Sequence, residues 1–395
     1  MSTAAQIEEE EGDFTLDNPD TVTKYRTAGD IANRVIKKVL AAAVPGATVL
    51  ALCKLGDGEI NEEVAKIYKA NKKVKKGIAF PTCVSLNSTV CHQSPLSSDA
   101  AITLQAGDVA KVDLGVHVDG LIAVVAHTIV VGATKEAPVT GRKADVLLAA
   151  YNASEAAVRL VQAGSTNHKV TETVQQVAQQ FKCNTVEGML SHQLERNIID
   201  GKKTIILNPN EAQRKEHKEL TFEIGEVYGV DVIVSTAEGK SRTLDTRTTV
   251  YKKTDAVYLL KMQASRTFLS QAKEKYGNFP FSIRSFDDEN KAKIGVLECT
   301  KHNVMTPFSV LYDRDDTASV AQFKFTVLLT KNGPIRITSV PFEAELFKSE
   351  HSVVDAELKA LLASSAKGKS KAKKADAAAP EAASSSSAPA PAAAQ

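Results

Sequence analysis

The spacing of apolar residues along this chain switches repeatedly between a helix period and a strand period. From Asn18 to about Ala43, Val22, Tyr25, Ile31, Val35 and Leu40 recur at helical spacings. A second helix is predicted from near Asp57 to Lys76, with Gly77 as its stop. The period then shortens to two. IAFPTCVSLN and DVAKVDLGVHVDGLIAVVAHTIVV read as β-branched strands, and Asp119-Gly120 is a strong hairpin signal. Helices return at Gly141–Ala163 and Val170–Phe181, followed by strands at KTIILN, LTFEIGEVYGVDVIVST and RTTVYK. A helix over Asp255–Tyr276 precedes the last strands, QFKFTVLLT and PIRITSV. Two helix pairs, each followed by strands, predict an α+β fold with an internal duplication, although no clear sequence repeat marks it.

Composition sharpens the domain limits. The 395 residues are 43% hydrophobic and 24% charged, enough for a large core. Residues 1–13 are acidic and polar and are expected to be disordered, as is the tail 363–395, basic at first and then rich in Ala, Ser and Pro. One domain, 14–362, lies between them. The acidic start is the opposite of a secretion signal, and the longest apolar run is too short and too β-branched to span a membrane. Five scattered cysteines without a CxxC pair fit free thiols in a reducing compartment.

Charge is unevenly placed, although the net charge is only +2. Lys66, Lys69, Lys72, Lys73, Lys75 and Lys76 fall within eleven residues that hold no acid. Such a run is either a solvated face or a set of phosphate contacts, which would give salt-dependent binding without sequence specificity. Lys252, Lys253, Lys261, Arg266, Lys273, Lys275 and Arg284 add cations later in the chain, mixed with acids. Lys367, Lys369, Lys371, Lys373 and Lys374 crowd the tail as a further RNA contact or a nuclear address. No aromatic RNA-recognition motif is present, so any recognition is of shape and backbone. Leu358, Leu361 and Leu362 form an LxxLL pattern, which on a helix can fill a partner's groove or pack on its own domain.

Four segments, NSTVCHQSP, KVDLGVHVDG, EVYGVDVIVS and QFKFTVLLT, resemble in order and spacing the landmarks of pita-bread metallopeptidases, nearest the type II methionine aminopeptidases, over roughly residues 15–345. The resemblance implies a pita-bread fold with internal pseudo-duplication and a helical insertion at about 240–305. It assigns five metal-ligand positions to Asp113, Val124, Met189, Asp231 and Lys324, of which two carry a carboxylate. His192, three residues beyond Met189, is the one alternative for the missing histidine. His92 matches the enzymes' substrate-side histidine. His117, Asp119 and His127 lie near Asp113 in the sequence and offer a relocated single-metal site or ordinary strand-end polar groups. Lys324 is expected to neutralise Asp113 and Asp231.

KKGIAFPT, VEGMLSHQLERNIIDGKKTIILNP and NFPFSIRSF resemble more closely a non-catalytic branch, the proliferation-associated, ErbB-receptor-binding proteins. This resemblance implies no catalytic residues, metal or cofactor. It implies a monomer of cytoplasm and nucleolus that binds ribosomal RNA, the large ribosomal subunit or pre-ribosomal particles and acts in growth control. Two rival readings stay open: an aminopeptidase with a rebuilt metal site, and a transcriptional co-regulator acting through the LxxLL leucines.

Overall fold

A computed structural model describes residues 12–366. Eight helices are formed within them: α1 (Pro19–Ala42), α2 (Val49–Lys66), α3 (Gly141–Leu160), α4 (Asn167–Gln180), α5 (Glu211–Glu216), α6 (Gln263–Tyr276), α7 (Glu289–Lys301) and α8 (Ala356–Ala363). Seven strands form the central path of the main sheet: β1 (Lys76–Leu86), β2 (Val109–Val118), β3 (Leu121–Val130), β4 (Leu190–Gln193), β5 (Thr204–Ile206), β6 (Val227–Ser235) and β7 (Val320–Thr330). Their order is β1-β2-β3-β7-β6-β4-β5, with neighbours antiparallel.

The halves of this sheet repeat one plan. Helices α1 and α2 bury their apolar faces against β1, β2 and β3. Helices α3 and α4 pack together, and α3 covers β6 and β7. Gly46 and Gly164 take positive φ, +90° and +88°, and enter equivalent loops. Gly46 N–H donates to Leu104 O at 2.9 Å and Gly164 N–H to Phe222 O at 2.9 Å, while Leu104 and Phe222 donate back to Ala47 and Ser165. Thr48 and Thr166 then cap α2 and α4 with their hydroxyls. A sequence echo accompanies the geometry: GDVAKVD at 107–113 and GEVYGVD at 225–231. The expectation that the duplication leaves no repeat is therefore corrected. The echo is short because only the turn glycine, its carboxylate and the strand's alternation are shared.

Element boundaries depart from the periodicity in four places. Helix α2 starts eight residues before the predicted Asp57, because Thr48 Oγ1 accepts from Ala51 N at 3.2 Å. Gly56 reads as a break but lies inside the helix, where a Cβ would collide with Thr82 Oγ1 of β1. The same helix ends at Lys66 and not at Gly77. Tyr68 enters the left-handed region at φ +46°, and helical turns through Lys69, Lys72, Lys73 and Lys76 would stack like charges. LTFEIGEVYGVDVIVST is broken by Gly225 at φ +98°, so only β6 is strand. The predicted helix from Asp255 begins at Gln263, because Glu298 takes the backbone N–H groups of Lys261 and Met262 at 2.8 and 3.0 Å.

The insertion is a small α/β layer of its own. Strand Val250–Lys253 pairs with Phe281–Ser282 and Met305–Phe308. Helices α6 and α7 pack over it around Phe268, Phe281, Phe286 and Val296. Helix α7, capped by Asp288, was not anticipated from the sequence. Arg284 ties this layer to the first half of the chain. Its guanidinium meets Asp57 Oδ2 at 2.5 Å and Ser94 Oγ at 2.8 Å, and its side chain is 4% exposed, so it belongs to no basic surface.

Candidate functional site

One row of residues crosses the sheet where its halves meet. Asp113 on β2 stands opposite Ala126 on β3, Ala126 opposite Lys324 on β7, and Lys324 opposite Asp231 on β6. The small side chain of Ala126 lets Lys324 reach both carboxylates. Its Nζ lies 2.5 Å from Asp113 Oδ2 and 2.9 Å from Asp231 Oδ2. Gln322, two residues earlier and so on the same face, donates from Nε2 to both oxygens of Asp231 at 2.9 and 3.0 Å. The Phe80 ring centroid is 5.5 Å from the ammonium.

Two buried carboxylates share one ammonium, and the titration follows from that. Burial opposes the charge on Lys324, but Asp113 and Asp231 more than offset it, and its pKa lies above the ordinary lysine value. Burial raises Asp113 above the carboxylate range. Asp231 adds to that rise, and Lys324 opposes it. Asp113 Oδ1 is buried without a hydrogen-bond partner, which also favours the neutral form.

The remaining positions assigned to ligands hold no donor directed at this row. Val124 fills the space between two glycines: an added Cβ would sit 3.1 Å from its methyl at Gly115 and 2.9 Å at Gly229. Met189 lines a cavity of about 260 Å³ beside the row, together with His92, Phe80, Phe308 and His192. His192 is not drawn into the cluster, since its Nδ1 meets Gly201 O at 3.3 Å. His92, at φ +67°, bonds Ser309 O through Nδ1 at 3.1 Å, and burial holds its pKa at about 4. Among the described residues, no group of three or more His, Cys, Asp or Glu is placed to hold a metal ion.

The neighbouring polar residues diverge. His117 stacks on Phe279 with centroids 4.2 Å apart, and Asp119 pairs with Lys24 at 2.8 Å and Arg196 at 3.1 Å. His127 packs edge-on to Phe323. Of the two readings open for these three residues, the structure fits ordinary polar groups and not a relocated metal site: one ring is stacked, one carboxylate is paired with two cations, and the other ring packs among aromatics. Asp119 and Gly120 do form the anticipated turn, with φ +57° and +79°.

A model of metallopeptidase family M24 matches residues 23–250. The chain belongs to this family. The M24 relatives of high identity carry other names. A "Curved DNA-binding protein" of Schizosaccharomyces pombe is 46% identical over 93% of this chain and 96% of its own. "ERBB-3 BINDING PROTEIN 1" of Arabidopsis thaliana is 44% identical over 91% and 90%. "Proliferation-associated protein A" of Dictyostelium discoideum is 43% identical over 89% and 90%. Among solved structures, a thermophilic Arx1 superposes with a TM-score of 0.83 at 34% identity, covering 89% of this chain and 100% of that one. The pita-bread fold is thus that of the M24 group, and the chain sits with its proliferation-associated and ErbB3-binding members.

Away from the sheet seam, the structure sorts the basic residues of this M24 chain. Lys66 pairs with Glu63 at 2.6 Å, and Lys252 meets both oxygens of Asp200 at 2.6 Å. Arg266 caps the carbonyls of Leu260 and Lys261, and Lys253 donates to Thr254 O at 2.9 Å. These four serve the chain's own structure. Lys69, Lys72 and Lys261 are exposed. Lys73, Lys75 and Lys76 line one wall of a groove of about 570 Å³, and Lys273 and Lys275 at the end of α6 line the other. Sequence spacing gave no sign that these two basic segments face each other. Lys367, Lys369, Lys371, Lys373 and Lys374 lie outside the described residues.

The LxxLL leucines face inward. Leu358 is buried, and Leu361 and Leu362 pack on the same core beside α3. As an exposed docking motif this pattern is corrected, since α8 would have to leave its own domain to present it.

Proposed function

We propose that this chain is a non-catalytic M24 protein that binds structured RNA and ribosomal particles through the phosphate backbone. The non-catalytic part rests on Lys324. An M24 peptidase holds a metal pair between carboxylates, and the residues here do not fit one. Only Asp113 and Asp231 are carboxylates, and an ammonium lies 2.5 and 2.9 Å from them, where cations would bind. Two like charges about 4 Å apart in a partly dry site repel by roughly 4 kcal/mol or more. Val124 has no lone pair, so no chemical step is assigned to this site.

The binding part rests on the groove between Lys73, Lys75 and Lys76 on one side and Lys273 and Lys275 on the other. Side chains of this kind contact phosphates without reading bases. The name of the fission-yeast relative, a curved DNA-binding protein, is in keeping with a phosphate-backbone ligand. Large-subunit RNA in the cytoplasm and nucleolus is the proposed target, with growth control as the consequence. The test is anisotropy of a labelled RNA hairpin across a salt series. Binding that weakens linearly in log–log form, with a slope about 3 smaller for Lys73→Ala/Lys75→Ala/Lys273→Ala, supports the reading. A salt-independent or absent interaction, or release of methionine from a peptide by the Mn²⁺- or Co²⁺-loaded protein, overturns it.

A further inference from the structure

A second cavity, of about 430 Å³, adjoins the basic groove between α2, the start of β1 and the end of α6, sharing Lys76, His117, Lys275 and Tyr276 with it. That volume is in the range of small-molecule sites. Lys54, Lys76 and Lys275 line it, one from each of the three elements. Lys54 Nζ donates to Ser97 Oγ at 2.9 Å and Lys76 Nζ to Ile67 O, and neither lysine forms an ion pair with a described residue. Lys275 lies 3.9 Å from Asp287, whose side chain is almost fully exposed. Asp57 also lines the cavity, but its carboxylate is taken by Arg284 at 2.5 Å. Three ammonium groups therefore line this space without a buried counter-charge.

His117 adds a donor of a different kind. The imidazole is 8% exposed and is held by its stack on Phe279. Gly77 stands opposite it in the pairing of β1 with β2, and a Cβ added there would lie 3.5 Å from His117 Nε2. Gly77 does not take positive φ, so the backbone does not require glycine at this position. Its effect is to leave Nε2 uncovered on the side of the cavity that both residues line. Nδ1 is buried without a hydrogen-bond partner. A buried N–H without an acceptor is costly, so the proton of the neutral ring belongs on Nε2. Burial holds the His117 pKa at about 4, and the ring is therefore neutral at pH 7.

The unmatched groups are all donors, and they reach one space from several elements. A planar carboxylate serves donors in its plane, whereas the oxygens of a phosphate point in several directions. A backbone phosphodiester carries one charge, and a terminal phosphate carries close to two at pH 7. We propose that this cavity binds a phosphate group of higher charge, the end of a chain or a small polyphosphate, through Lys54, Lys76 and Lys275 with His117 Nε2–H as the neutral donor. Only the case of an RNA end rests on the RNA-binding reading. Because the lysines come from both the first half of the chain and the insertion, the bound anion ties α6 to α2.

The probe is inorganic triphosphate, titrated calorimetrically into the full chain at about 0.15 M salt, where loose counterion contacts are screened. Saturable binding of one anion per chain is expected. Lys54→Ala/Lys275→Ala should weaken it about tenfold or more, and His117→Phe and Gly77→Ala about three- to tenfold each. In chain labelled with ¹⁵N-histidine, the His117 ring signal should move over the same concentrations, which a merely structural loss does not produce. Binding that never saturates or is equal in all variants, or a stationary His117 signal, overturns the proposal. A glutamate peptide of matched charge that binds as tightly marks an acidic protein ligand and overturns the phosphate assignment. An RNA hairpin with a 5′-triphosphate that outbinds its 5′-hydroxyl counterpart, in wild type but not in Lys54→Ala/Lys275→Ala, supports the site and makes an RNA end the source. Equal hairpins beside saturable triphosphate binding support a free polyphosphate instead. RNA binding without a triphosphate site overturns this proposal and leaves the RNA reading standing.

Discussion

Replacing Lys324 with alanine removes the cation shared by Asp113 and Asp231. Those side chains are 6% and 11% exposed, and the lysine side chain is 15% exposed. Stripping one partner from a buried ion cluster costs ~3–5 kcal/mol. Some of that is recovered when one carboxyl takes up a proton and the pair shares it, so about 3 kcal/mol is the expected loss near pH 7.5. With unfolding entropies of about 2.1 cal/mol/K per residue, a chain ordered over residues 12–366 should melt about 4 °C lower. The sharper readout is pH. A carboxyl raised above its unfolded value binds a proton first in the folded state, so stability falls as pH rises through that window. Without the lysine the rise is larger, and the deficit of the variant should therefore grow from pH 5 to pH 7.5. Calorimetry of Lys324→Ala and Lys324→Ala/Asp113→Asn measures both effects, the second substitution restoring most of the loss. An unchanged melting temperature, or a deficit independent of pH, would refute the charge-cluster reasoning.

Further outcomes follow from the same structure. Burial holds His92, His117 and His127 at about 4, below their unfolded values, so stability is present above pH 6.5 and is lost as pH falls toward 4. Asp113 acts in the opposite direction, but as one group against three. Denaturant titrations from pH 7 to 4 should show a loss of several kcal/mol, since each tenfold change in proton affinity is worth ~1.4 kcal/mol. His117→Phe, which keeps the stack on Phe279, should flatten that loss, and an unaltered pH profile would count against the assignment. Lys324→Glu should melt below wild type in chelator and gain stability on adding Mn²⁺, whereas wild type should ignore the metal; equal responses would contradict the site chemistry. Arg284→Ala should cost ~3–5 kcal/mol and open residues 254–262 to proteolysis, because Asp57 loses its buried partner. Proteolysis at the wild-type rate would argue against Arg284 as the tie to the insertion.

Much of the fold was legible because β2, β3 and β7 are buried along nearly their whole length, which demands runs of β-branched and apolar residues bounded by turn residues. The ends of α2 were not legible. Its start depends on the Thr48 cap, and its interior glycine depends on contact with Thr82, a residue of another element. Helix α7 was hidden because only Ala292, Gly295, Val296 and Cys299 are buried along it, too weak an apolar stripe to register. At the site, Asp113, Asp231 and Lys324 were readable from motif positions. Gln322 was not, although its even spacing from Lys324 places it on the same face and could have flagged it. Lys111 was also missed. It is 1% exposed, donates to Asn87 O and Val320 O at 3.0 Å each, and has its pKa lowered by burial to about 7. A lysine two residues from Asp113 reads as surface until the third dimension closes over it. The facing of Lys73 and Lys75 with Lys273 and Lys275 likewise joins segments about 200 residues apart, which no local pattern encodes.

The most direct measurement is co-sedimentation of the full-length chain with ribosomes across a salt series, beside Lys73→Ala/Lys75→Ala/Lys273→Ala and a chain ending at Leu362. RNA docking through the groove predicts binding at low salt that falls steeply as salt rises, a weaker and less salt-sensitive triple variant, and retained binding by the shortened chain. Absence of binding at low salt, together with peptidase activity on addition of Mn²⁺ or Co²⁺, would contradict it.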